Sequence, residues 1–222
     1  MEYIKQKYNF LCKNKSDINE HLPTLYRYAT QCQSIAELGV RGVISTWALI
    51  YGLLNNKKKK KKILLNDIVP CNINELVINT RNLDLEINYE WKNDLDLQLN
   101  ENVDLTFIDT WHVYGQLRRE LEKFSKITNK YIIMHDTTLD EWHGETMRTT
   151  GHSMKSMLGR VGGHDSNNQL AVKQSMETNI PVQEIMKGLW PAIIEFLYKN
   201  RNWRLKERYM NNNGLTILER IK

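Results

Sequence analysis

The sequence has little cysteine and no long apolar run. Its three cysteines, Cys12, Cys32 and Cys71, form no C-x-x-C pair, so neither a closed disulfide framework nor a zinc knuckle is indicated. No segment approaches the roughly 18 uninterrupted apolar residues of a membrane-spanning helix. The opening residues MEYIKQKYNFLCKNKS lack a continuous apolar core and a small-residue cleavage site, so a soluble, unexported, cytoplasmic protein with reduced thiols is expected. Internal repeats are absent, and the one low-complexity tract is Lys57–Lys62. With those six lysines set aside, the formal charge of +5 falls to −1, so the remainder is not built to grip a phosphate backbone. The run reads as a solvated, exposed loop in a Lys- and Asn-rich chain, or as an attractant for nucleic acid or an anionic surface. The near-neutral remainder favours the first reading.

What the 222 residues do contain, at 41% hydrophobic content, is enough apolar material for one domain with a sizeable core. SIAEL (Ser34–Leu38), ILLND (Ile63–Asp67), LEINYEW (Leu85–Trp91), the run Val103–Ile108 and KYIIMHD (Lys130–Asp136) read as strands. STWALIYGLL and the stretch Gln116–Lys126 read as helices between them. This alternation predicts a largely parallel sheet with right-handed crossovers. At the C-terminus, GLWPAIIEFLYKN (Gly188–Asn200) predicts a helix with Pro191 in its first turn. WRLKERYM and LTILERI then flank NNNG, a connection too short for a parallel crossover, so they predict an antiparallel hairpin. The expected fold is α/β: a Rossmann-like, seven-stranded, mostly parallel sheet with helices on both faces and a closing hairpin. Between Thr137 and Lys187 the periodicity is weak and glycine and methionine are frequent, which reads as a lid or as a partly disordered insertion.

Chemistry gathers where the strands end. In AELGVRGVISTW, Gly39 and Gly42 permit a close backbone approach, and Ser45 and Thr46 are placed to cap the next helix. Glu37, two residues before Gly39, would repel a pyrophosphate but could hold an ammonium group. Asp67 ends the second strand, where a ribose diol is commonly held. Together they describe S-adenosylmethionine better than a dinucleotide. Asp94, just past the third strand, is a candidate for the adenine amino group or a solvated loop acid. Asp109 and Asp136 end the next two strands, and if those strands are neighbours their Cα atoms lie about 5 Å apart. Carboxylates that close repel, so a divalent cation or a shared proton is expected. His112 follows Asp109 by three residues on the same turn and faces the crevice, whereas strand alternation turns His135 away from Asp136.

These segments resemble class I S-adenosylmethionine-dependent methyltransferases, in particular macrolide-sugar O-methyltransferases and cephalosporin-hydroxylase-like proteins. The resemblance spans NEHLPTLYRYA, ELGVRGVISTWAL, FIDTWHVYGQLRREL, IIMHDTT, GLWPAIIEFL and NNNGLTILER, in that order. It implies one methyltransferase domain over 1–222: a helical segment 1–33, a donor-binding core 34–136, an insertion or lid 137–187, and a closing unit 188–222. It further implies that Glu37, Gly39, Ser45 and Asp67 contact S-adenosylmethionine, with Thr46 and Asp94 beside them. Asp109 and Asp136 would hold Mg²⁺ and His112 would act as base. Val43 stands where many relatives carry a second glycine, and Trp111 and Thr137 stand where many metal-dependent relatives carry further acids. The implied activity is O-methylation of a small-molecule or glycan acceptor, with no membrane partner and with homo-oligomerisation left open. An RNA methyltransferase recruited by Lys57–Lys62, or a non-catalytic protein retaining the fold, are the alternatives.

Overall fold

The structure, a computed structural model, describes residues 1–149 and 166–221. Strands β1 (Ser34–Leu38), β2 (Lys61–Asp67), β3 (Leu85–Trp91), β4 (Val103–Ile108), β5 (Thr128–His135), β6 (Trp203–Tyr209) and β7 (Leu215–Arg220) form one sheet in the order β3-β2-β1-β4-β5-β7-β6. The first five pair in parallel, and β7 pairs antiparallel with both β5 and β6. This is the seven-stranded, mostly parallel sheet with a closing hairpin that the strand pattern predicts. Order reverses at β1, between β2 and β4, which is the switch point where α/β sheets open a crevice at their carboxyl ends.

Helices cover both faces because successive residues of each buried strand point to opposite sides. On one face Ile35, Ile63, Leu105, Phe107 and Ile133 pack under α1 (Glu2–Lys13), α2 (Leu22–Ala29) and α3 (Ile44–Asn55). On the other, Leu38, Ile108, Ile132 and Met134 pack under α5 (Tyr114–Phe124) and α9 (Leu189–Lys199). The sequence of α3 is apolar nearly all round, as befits a helix enclosed between the sheet and two further helices. Tyr51 of α3 stacks on Tyr26 of α2 at a centroid distance of 4.9 Å and meets Tyr8 of α1 in a tilted contact at 5.1 Å, fastening these three helices together. Helix α4 (Asn74–Thr80) bridges β2 and β3.

The described parts of the 137–187 segment include three helices: α6 (Glu145–Thr149), α7 (Ser166–Thr178) and α8 (Val182–Met186). Ala171 of α7, Ile185 of α8 and Ile180 between them close on Val113, at the start of α5. The lysine run divides: Lys57–Lys60 are exposed, while Lys61 and Lys62 open β2, so the run is not wholly a loop. It sits at the opposite end of β2 from Asp67, about 20 Å away by strand rise. At the hairpin tip Gly214 has φ +93°, and a Cβ there would stand 2.2 Å from Thr138 Oγ1. This close contact seats the tip against the loop after β5, where Thr138 N and Leu139 N both donate to Asn213 O. Among the described residues no helix is long and apolar enough to cross a membrane.

Candidate active site

Neighbouring parallel strands in register deliver their next residues side by side. Leu38 pairs with Ile108, and Ile108 with Met134, so Gly39, Asp109 and His135 follow at one level at the sheet's carboxyl edge. Gly39 has φ +86°, and a Cβ there would lie 2.0 Å from Asp109 O. Only glycine fits, and the group that approaches closely is the Asp109 backbone itself. Asp136 leaves β5 with φ +56°, a region a non-glycine residue seldom occupies. That turn breaks the strand alternation, so Asp136 and His135 both reach the same cluster.

His112 lies at its centre. Nε2 is 3.3 Å from Asp109 Oδ1 and 3.2 Å from Asp136 Oδ2, while Nδ1 is 3.2 Å from Asp140 Oδ2 and 3.7 Å from Glu145 Oε2. Strand alternation alone would turn His135 away from Asp136, but its Nδ1 lies 3.4 Å from Asp109 Oδ1 and 3.6 Å from Asp136 Oδ2, and its Nε2 is 3.2 Å from Asn212 O. Both nitrogens of each ring therefore meet acceptors, which favours the doubly protonated imidazolium. Burial opposes the charge on His112, but hydrogen bonds to Asp109 and Asp140 and the charge of Asp136 hold its pKa well above the usual histidine value. His135 is raised in the same way, against burial, chiefly by Asp109. Burial pushes the Asp109 carboxyl up, yet the two histidines outweigh it and leave it well below the usual carboxylate range. For Asp136 burial prevails over both histidines, and its carboxyl is raised.

Asp140, Glu145 and Arg148 were not legible as site residues in the sequence. Arg148 donates to Asp140 Oδ1 at 2.8 Å and Oδ2 at 2.9 Å, and Glu145 N donates to His112 O at 2.9 Å, tying α6 onto the site. The i, i+4 spacing of Asp136 and Asp140 was their only local signal, and it is a weak one.

A cavity of about 300 Å³ opens beside this cluster, lined by Gly39, Arg41, Asp67, Asp94, Asp109 and His112 among others. Asp67 spans the glycine turn: Oδ2 accepts from Val40 N at 2.9 Å and Arg41 N at 2.8 Å, and Oδ1 accepts from Val69 N at 2.9 Å. Burial raises its carboxyl, but these backbone donors more than offset that and leave it below its ordinary value. Glu37 is 0% exposed and does not line the cavity. The Ser45 hydroxyl donates to Glu37 Oε1, while Oε2 is buried without a partner. Burial pushes this carboxyl up to about 8. Neither Ser45 nor Thr46 caps α3, whose N-cap is Val43 in the left-handed region with no side-chain hydrogen bond. Asp94 lines the cavity but turns its carboxylate toward Gln116, which donates to Oδ1 at 3.0 Å.

The residues fit a divalent cation. Asp109, His112 and Asp136 offer ligand atoms within 4.8 Å of one another, and Asp136 Oδ1 is buried without a hydrogen-bond partner. The 3.2 and 3.3 Å separations approach the roughly 3 Å between adjacent ligands of an octahedral ion bound at 2.1 Å.

No protein-family model matches the sequence, and no curated protein matches it. Solved structures do match over nearly the whole chain. The O-methyltransferase TomG from Streptomyces achromogenes, solved with S-adenosylmethionine, has a TM-score of 0.56 at 12% identity, covering 94% of this chain and 82% of its own. An O-methyltransferase from Bacillus cereus, solved with S-adenosylhomocysteine, scores 0.55 at 15% identity, covering 100% and 90%. The N-methyltransferase NodS from Bradyrhizobium japonicum WM9, also with S-adenosylhomocysteine, scores 0.53 at 13% identity, covering 99% of each chain. The chain has the fold of class I S-adenosylmethionine-dependent methyltransferases.

Proposed function

We propose that the protein is an S-adenosylmethionine-dependent O-methyltransferase. One observation carries this reading: the cavity at the carboxyl ends of the strands holds the Gly39 turn and Asp67 at one side and the Asp109–His112 pair at another. The donor, when bound, supplies an electrophilic methyl group. The Gly39 turn, braced by Asp67, would cradle it, and Asp67 Oδ1 retains capacity to accept from a ribose hydroxyl. Glu37, Ser45 and Thr46 lie behind that turn and would act on the donor through it. The chain would form a single unit, with 34–136 binding the donor and the described part of 137–187, which brings Glu145 and Thr178 to the cavity wall, bordering the acceptor; residues 150–165 of that segment lie outside the described residues.

Asp109 would orient the acceptor hydroxyl and His112 would take its proton, since an alcohol is a poor nucleophile while protonated. Alignment of the hydroxyl with the methyl group would supply much of the remaining rate. Because the surrounding carboxylates favour the imidazolium, the basic form of His112 belongs to the alkaline side of its ordinary pKa. Mg²⁺ held by Asp109 and Asp136 would add Lewis acidity at the acceptor oxygen. Resemblance to macrolide-sugar O-methyltransferases makes a sugar or glycosylated small molecule the first acceptor class to test. The exposed lysines lie at the far end of β2 from Asp67, so a nucleic acid held there would not thereby reach the cavity.

The test is transfer of labelled methyl from S-adenosylmethionine to a panel of glycosylated and simple hydroxyl compounds, with amines and oligonucleotides alongside. Label on a hydroxyl compound, lost in His112→Ala, is the expected result. Label confined to amines or RNA would reject the O-methylation reading.

A further inference from the structure

Among the described residues the acids on the cavity wall are Asp67, Asp94, Asp109 and Glu145, and they differ in how far their partners satisfy them. Asp67 takes three backbone N–H groups, Asp94 takes the amide of Gln116, and Asp109 stands between two histidines. Glu145, at the start of α6, is held only loosely. Its Oε2 accepts from the backbone nitrogen of His112 at 3.4 Å and lies 3.7 Å from His112 Nδ1, and its Oε1 lies 3.7 Å from Arg148. Arg148 is already committed to Asp140, which it meets at 2.8 and 2.9 Å. With its side chain 30% exposed, Glu145 is the wall acid left for a ligand.

The bond from His112 N sets the Glu145 carboxylate on the peptide link that joins Trp111 to His112. Trp111 is half-buried, lines the same cavity and packs against the cluster of Val113, Ala171, Ile180 and Ile185, which braces its ring. An aromatic ring beside a carboxylate suits an organic cation, because the ring face attracts an ammonium group and the carboxylate accepts its N–H. An anionic acceptor finds no such provision: Arg41 is the one arginine described on the wall, and it is ion-paired with Asp17. A neutral sugar could also stack on Trp111, but a hydroxyl donor to Glu145 brings no charge of its own, and ionic hydrogen bonds are about twice as strong as neutral ones. Asp109 and Glu145 stand at opposite nitrogens of the His112 ring, Nε2 and Nδ1. A hydroxyl at the first and an ammonium at the second are therefore separated by a span that one sugar ring can bridge.

We infer that the acceptor is a cationic amino sugar, its ammonium group bound between the indole of Trp111 and the carboxylate of Glu145 while its hydroxyl meets Asp109 and His112. This rests on the O-methyltransferase reading and narrows the acceptor from sugars in general to those with a free amine.

The experiment is ligand-observed NMR titration of the whole chain, saturated with S-adenosylhomocysteine at neutral pH, with the methyl glycosides of glucosamine, N-acetylglucosamine and glucose. The glucosamine glycoside should bind at least about tenfold more tightly than the other two, and added salt should shrink the difference. Glu145→Gln should bring the three to within a few-fold by weakening the amino sugar alone. Trp111→Leu should do the same, and Trp111→Phe should retain part of the preference. A merely structural role for these residues would lower all three sugars together, and that pattern overturns the proposal. Equal binding by the wild type, or binding of none of the three with S-adenosylhomocysteine in place, also overturns it and leaves the donor reading standing. Labelled methyl transferred to the nitrogen of the glucosamine glycoside would put the amine at the donor instead of at Glu145, and defeats both this assignment and O-methylation. Failure of S-adenosylhomocysteine itself to bind sinks the donor reading, and the proposal with it.

Discussion

Replacing Asp140 by Asn tests the electrostatics of the proposed base. Asp140 Oδ2 lies 3.2 Å from His112 Nδ1, and the Asp140 side chain is only 1% exposed. Two unit charges at that separation attract by about 5 kcal/mol at an effective dielectric constant near 20. Solvent entry and relaxation reduce that figure, and an opposite charge at such range typically moves a pKa by about one to three units. Arg148, released from Asp140, would push in the same direction. Burial opposes the imidazolium, while Asp109, Asp140 and Asp136 raise it, so the basic form of His112 grows in on the alkaline side of the ordinary histidine range. The rise of kcat with pH should therefore lie well to the alkaline side of about 6.5, the free histidine value. In Asp140→Asn it should move toward acid by about one to three pH units. Stability runs the other way. A folded pKa above the unfolded one stabilises the protein fully below the unfolded value, and that contribution fades as pH climbs through the folded value. The assay is kcat against pH at saturating donor and acceptor, with nitrogen-detected titration of His112 by NMR as a check independent of turnover. His112→Ala should lower kcat by about 10²–10⁴ and abolish the limb. A wild-type limb near 6.5, or one that Asp140→Asn leaves in place, would mean that the surrounding carboxylates do not set the proton affinity of His112.

Gly39→Ala places a Cβ 2.0 Å from Asp109 O at a positive φ, so it should lower stability by more than about 1–3 kcal/mol and impair donor binding. Chemical denaturation read with binding checks this, and an alanine variant of native stability would show that the turn relaxes freely. Chelation should depress turnover and Mg²⁺ restore it, with Mn²⁺-soaked crystals giving anomalous density between Asp109 and Asp136. That density should survive in His112→Ala if the histidine is the base, and fade if it is a ligand. Full turnover in chelator would remove the cation from the account.

Strand ends were the most legible part of the sequence. Asp67, Asp109 and Asp136 each stop an apolar run, and apolar runs of strand length are what a buried parallel sheet requires. The start of β2 was missed because Lys61 and Lys62 carry no apolar signal, although Lys61 is buried. The helices α6 to α8 were missed because their order comes from Ala171, Ile180 and Ile185 closing on Val113 rather than from their own periodicity. His135 was misplaced by a sound rule: alternation holds along β5, but the left-handed backbone at Asp136 ends it one residue early. The capping expected of Ser45 failed for a comparable reason, since a buried Glu37 needs a donor and Ser45 supplies it. Side chains such as Asp140 and Arg148 enter the site through the packing of α6, which no local pattern encodes.

The cavity at the carboxyl ends of β1, β2 and β4 is proposed as the donor site. Titration of the chain with S-adenosylhomocysteine tests it most directly. One site should appear, and Asp67→Ala, which removes both the brace of the Gly39 turn and the acceptor for a ribose hydroxyl, should weaken binding by about tenfold or more. Absence of binding to the wild type, or binding indifferent to Asp67→Ala, would contradict the account.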